Sequence, residues 1–145
     1  MKKLILIYSI LVFSIGCKDE SVLDVNLDSL NVENCECFEI YWKGLIECYK
    51  LENEGLKLKE EDFYLYINEG TPFTKSELYY DSIIRPAFKK IEKIKERCVK
   101  LSLVDDVEKC WNQIENLREK ENEIFTEVVK RRNKIKELQR ELNKH

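Results

Sequence analysis

The chain has 145 residues, 43% of them hydrophobic and 37% charged, with a formal net charge of -3 at pH 7. An acidic balance gives no whole-molecule attraction to nucleic acid, and four glycines with two prolines are too few for the turns of an all-β fold. Composition therefore points to one mainly α domain, a small helical hairpin or bundle with much exposed helix surface.

Residues 1–17 read MKKLILIYSILVFSIGC. Lys2 and Lys3 form a positive n-region, Leu4 to Ile15 an apolar stretch, and Gly16 a small residue at a cleavage point. About a dozen apolar residues are too few for a membrane span, which needs roughly 17 to 25. The segment FSIGC resembles the lipobox of bacterial lipoproteins, in which a peptidase cuts before a cysteine; Ser14 stands where that motif prefers Leu. The resemblance implies a signal peptide over 1–16 and acyl chains on Cys17 that anchor the mature chain in a bilayer, several chains giving firm attachment. Lys18, Asp19 and Glu20 are similar to the lysine-then-acidic signal that sends some lipoproteins of the Bacteroidetes group to the cell surface. In the enteric sorting pattern Asp directly after the cysteine retains the protein in the inner membrane, so Lys18 implies delivery to the outer membrane. The resemblance covers residues 1–20 only.

Loss of Lys2 and Lys3 with the leader takes the formal charge from -3 to -5. Residues 17–34 read as the lipidated N-terminus and a tether, because Val22, Val25, Leu27 and Leu30 keep neither helical nor strand spacing. The alternative is a short extended segment docked on the helical domain, which is expected over 35–145. Within that domain, 36–53 is a helix with one apolar face of Phe38, Tyr41, Trp42, Leu45, Ile46 and Tyr49. Gly44 weakens it, and Asn53 with Gly55 suits its termination. Residues 60–68 alternate as a strand does but have no partner strand, which favours a helix. Asn68 to Pro72 reads as a turn.

Thr74 with Glu77 fits a capping box, so a helix starts near Thr74, and Pro86 kinks or restarts it. Ile84, Ala87, Ile91, Ile94, Cys98 and Leu101 then step by three or four. A second run, Val107, Cys110, Ile114, Leu117, Glu121, Ile124, Val128, Arg131, Ile135, Leu138 and Leu142, keeps heptad spacing, with Glu121 and Arg131 as charged exceptions. The first run would continue at Asp105 rather than Val107, and Ser102 with Asp105 offers an N-cap beside that slip. An antiparallel hairpin turning near 101–105 explains the change of phase; one continuous helix is the rival. In the hairpin, part of 125–145 outruns its partner and must pack on the first helix, pair with another chain or protrude.

Besides Cys17 there are five cysteines, Cys35, Cys37, Cys48, Cys98 and Cys110, and a small exported domain is where disulfides are expected. Cys98 and Cys110 flank the turn and can bridge across a hairpin but not along one helix, where twelve residues span about 18 Å. Cys35 or Cys37 can instead fold back to Cys48 if the first helix begins after them, and otherwise must reach another element; a further arrangement joins Cys37 and Cys48 to Cys110 and Cys98 as twin bridges. Five is odd, so one thiol is left free, paired between chains or reactive. Without CxxC pairs, and with His145 as the single histidine, no metal site or cofactor is expected. The usual acid–base and phosphate-loop constellations are also missing, so no enzyme is expected. Candidate interaction residues are Tyr79 and Tyr80, which cannot both face one side of a helix, and the basic run Lys130, Arg131 and Arg132. The expected function is a non-enzymatic protein-interaction module of the envelope or cell surface, with an unspecified protein partner besides the bilayer and no nucleic acid. The alternatives are a structural protein forming homo-oligomers through its 107–142 heptads and an inhibitor of a periplasmic or secreted enzyme.

Overall fold

A computed structural model of the protein describes residues 21–24, 26, 34–101 and 104–144. The leader, Cys17 and Lys18 to Glu20 lie outside the described residues, as do Val25, Leu27, Leu30, Ser102 and the side chains of Asp105 and Val107. Among the described residues every regular element is helical, and two disulfides brace them. The helices are α1 (Asn34–Glu69), α2 (Lys75–Tyr79), α3 (Arg85–Leu101) and α4 (Val104–Leu142). A π turn, Tyr80–Ile84, joins α2 to α3.

α1 does not end at Asn53 or Gly55. It runs on to Glu69 and absorbs 60–68 as helix. Both presumed terminators are contact sites instead: Asn53 accepts a hydrogen bond from Arg131, and Gly55 is buried where a side chain would collide with Ile84 Cδ1, 2.4 Å from an ideal Cβ. Gly44 does the same for Ile91 Cδ1 at 2.3 Å. Cys37, Gly44, Cys48, Gly55 and Asp62 are spaced by sevens and a four, so they line one stripe of α1. These short side chains admit the next helix closely. Opposite them, in antiparallel order, come Cys98, Ile91, Ile84 and Ser76. The stop comes at Gly70, whose φ of 68° is the left-handed conformation and whose N–H bonds Tyr66 O at 2.9 Å.

α2 starts after Thr74 as expected, but Thr74 makes no side-chain cap. Asp62 of α1, buried at 4% exposure, accepts the Ser76 N–H at 2.9 Å and supplies the cap from the neighbouring helix. Pro86 cannot donate to the carbonyl four residues back, and its ring crowds that group. The chain answers by widening to a π turn, Arg85 N–H reaching Tyr80 O, and continues without a break.

α3 ends at Leu101 and α4 returns alongside α1, which it follows in parallel. Cys35 meets Cys110, Trp42 meets Arg118, and Tyr49 meets Phe125. The heptad seam of α4 is thus engaged within the chain: Cys110, Ile114, Val128 and Ile135 are buried, and Leu117, Ile124, Leu138 and Leu142 are half-buried. The stretch 125–145 takes the first of its three options as far as it is described, packing on α1. α1 packs on α3 and α4 with different faces. Its core stripe of Cys37 and Cys48 joins Ala87, Ile91, Ile94 and Cys98.

Part of the presumed tether is docked. Val22–Asp24 form a 3-10 turn capped by Ser21, whose Oγ accepts the Leu23 N–H at 3.2 Å and donates to Glu47 Oε2 at 2.6 Å. Leu23 packs against the core cluster, as Phe38 and Ile40 do.

Candidate functional site

Two of the three basic candidates on α4 are spent inside the bundle. Arg131 donates to Asn53 Oδ1 at 2.9 Å and Glu60 Oε2 at 3.0 Å. Arg132 grips Glu52 through bonds of 2.7 and 2.8 Å, and Lys134 bonds the second Glu60 oxygen. The apolar heptad seam breaks at Arg131 and is continued there by a charge-assisted polar contact. Lys130 alone of the run is exposed. At the other exception, Glu121 is half-buried, and burial pushes its carboxyl up against the opposing pull of Arg118. Arg118 itself stacks over Trp111 at 3.8 Å.

Tyr79 and Tyr80 divide as their spacing requires. Tyr79 is half-buried against Gly55, and Tyr80 is 48% exposed with Arg85 over its ring. Tyr80 lines a cavity of about 790 Å³ between the C-terminal half of α1, the α2–π segment and the last turns of α4. Aromatic and apolar groups form most of its wall. Phe63 and Phe73 meet edge-on at 4.6 Å, Tyr66 lies 5.2 Å from Phe73, and Ile84 and Leu142 close the sides. Lys59 and Glu77 supply opposite charges at the wall with no ion pair of their own among the described residues. Exposed Ile67, Leu78 and Ile83 sit at the same end of the bundle, remote from the disulfides.

No family model, curated protein or solved structure matches this chain.

The cysteine pairs follow the alternative in which Cys35 and Cys37 lie within the first helix and reach other elements, and not the bridge across the turn, the fold-back or the twin bridges. Cys98 and Cys110 do not bridge each other across the turn; each goes to α1, with Cys35–Cys110 at 5.1 Å and Cys37–Cys98 at 5.6 Å between Cα atoms. Cys35 and Cys37 are about 200° apart around the helix, so two neighbouring cysteines tie α1 to a different helix each. Among the described residues Cys48 is the unpaired thiol and is fully buried, so it joins neither a fold-back nor a twin bridge. Burial, then Glu47 and Glu52, push it up to about 12, which keeps it an unreactive thiol.

The cavity escaped sequence reasoning because its walls come from three separated segments. Phe63, Tyr66 and Phe73 share no single helical face in the sequence, the turn at 68–72 parting Phe73 from the other two, so their spacing alone does not bring them together. A second feature was passed over although its signal is plain: α3 carries seven basic residues against two acidic ones.

Proposed function

We propose that the chain is a membrane-anchored, extracytoplasmic lipoprotein whose helical bundle is a non-enzymatic protein-interaction module of the cell envelope or surface. The lipobox-like N-terminus supports the anchor. The two disulfides support export, because such bridges persist in oxidising compartments. No helix among the described residues is long and apolar enough to cross a membrane.

The observation that carries the interaction reading is the groove with its rim. Tyr66, Ile67, Leu78, Tyr80 and Ile83 are all more than 40% exposed at one end of a chain that can bury such groups elsewhere. Interface centres favour aromatic anchors in pockets, and clustered exposed apolar groups mark contact sites. The heptad seam, engaged by α1, lends no comparable support to self-assembly.

Two measurements test this. Intact mass of the membrane-extracted chain, with and without reduction and alkylation, is expected to show acyl chains on Cys17 and two protected cysteine pairs. An unmodified Cys17 overturns the anchor. A photo-reactive phenylalanine replacing Leu78 is expected to give a discrete protein adduct in intact cells, and one replacing Lys136 is not. Equal adducts from both positions, or none from either, overturn the groove as the contact site.

A further inference from the structure

We propose that the outer face of α3 is a docking surface for anionic lipid headgroups, held against the bilayer by the docked N-terminal turn; this rests on the lipid anchor proposed above. α3 concentrates its charge on one side. Buried Ala87, Ile91, Ile94 and Cys98 fix its inner pole. At about 100° per residue, Lys89, Lys93 and Lys100 stand near the opposite pole with Glu96 among them, Lys90 and Arg97 on one flank and Lys95 on the other. The three pole lysines are exposed and form a row about 17 Å long. This row belongs to a chain whose net charge is -3, so it is a local surface and not a reflection of overall composition.

The row is also uncommitted. Glu92 and Glu96 stand at helical spacing to Lys89, Lys93 and Lys100, where ion pairs are ordinarily made. None forms there among the described residues. Arg131, Arg132 and Lys134 on α4 show the contrast, all three being engaged by Glu52, Glu60 or Asn53. On α3, Arg85 is paired with Asp81, but the three lysines of the row have no ion pair among the described residues.

A row of lysines attracts any polyanion. The docked turn selects the bilayer. Val22 packs beside Gly44, where Ile91 of α3 also sits, and Ser21 and the Val22 N–H hold Glu47. From Cys17 to Ser21 there are four Cα steps, which no chain conformation stretches beyond about 14 Å. An acylated Cys17 therefore cannot set the bundle at the end of a long stalk. It keeps the docked turn, and the α1–α3 groove it fills, within about 14 Å of the anchored residue, close to the distances over which lysines are drawn to anionic lipid.

The test uses the membrane-extracted chain reconstituted into vesicles of phosphatidylcholine alone, or with a quarter of phosphatidylglycerol. Lysine acetylation by a water-soluble reagent is followed residue by residue by mass spectrometry. On the anionic vesicles Lys89, Lys93 and Lys100 are expected to react about threefold or more slowly than on the neutral ones, the difference closing at high salt. Lys75, Lys130 and Lys136 are expected to react alike on both. A chain retained on both vesicles with its α3 lysines equally reactive overturns the docking surface alone; protection by added polyglutamate then assigns the face to an acidic protein. A chain retained on neither overturns the anchor and the proposal together.

Discussion

Glu60 on α1 and Glu121 on α4 face the same helix–helix seam, and their charges act on stability in opposite directions. The hydrogen bond from Lys134, with further help from Arg131, holds the Glu60 carboxyl below the ordinary carboxylate range. Its stabilising contribution is therefore complete above that range and is lost as pH falls through the lowered folded value. Burial raises Glu121, so its charge is a penalty above the raised value, and protonation relieves that penalty as pH falls. Urea unfolding is expected to show Glu60→Gln less stable and Glu121→Gln more stable than the parent at neutral pH, both differences vanishing in acid. The same sign for both variants would contradict this assignment. Arg131 illustrates what residue-level reading could and could not see. Its heptad position was legible, but its solution as a seam residue depends on Asn53 and Glu60, some seventy positions away. Cys48 makes a simpler prediction: native protein is expected to resist thiol alkylation at Cys48 until it is unfolded, since the thiol is buried and raised to about 12.

At the scale of elements, periodicity revealed most of what the helices do. The phase change between the Ile84–Leu101 and Val107–Leu142 runs located the turn, because two seams out of register cannot serve one straight helix. What periodicity hid was the α3-facing stripe of α1. Gly44, Cys48 and Gly55 carry too little hydrophobic weight to announce a face, and glycine reads first as a helix breaker. Their role, close approach to Ile91 and Ile84, exists only once α3 is in place. The disulfides depend on the same packing. They are nested, Cys37–Cys98 with a sequence separation of 61 lying inside Cys35–Cys110 with 75. With either bridge formed, the other closes only a residual loop of roughly fifteen residues, worth about 3 kcal/mol in the chain-entropy account. Replacing either pair by serines is therefore expected to cost about 3 kcal/mol in urea unfolding. Removing both should cost more than twice that, because the last bridge constrains a loop of sixty residues or more. Equal and additive losses would mean that the bridges act independently of each other.

The whole molecule is graded along its length. Two covalent bridges hold one end, the Glu52, Asn53 and Glu60 network with Arg131, Arg132 and Lys134 clamps α1 to α4 further along, and the far end holds the groove and the π turn. Amide exchange is expected to be faster over 75–84 than over 37–48, a gradient that a binding end can use to adjust to a partner. The grading also bears on self-association. A heptad repeat this long would ordinarily join two copies, but α1 is longer than α3 and runs beside α4 past the level of Gly55, where α3 begins. The seam residues Ile114, Val128 and Ile135 are at most 4% exposed in a single copy, so a second α4 could reach them only by displacing α1. Displacing α1 would open the Arg131 and Arg132 contacts and strain both bridges. Sedimentation equilibrium of the oxidised chain in detergent is therefore expected to give a monomer whose mass does not rise with concentration. Reduction, by freeing α1 at its bridged end, is the condition under which association through α4 should first appear. An oxidised chain that already dimerises would show that the exposed groove end, and not the heptad seam, is where copies meet.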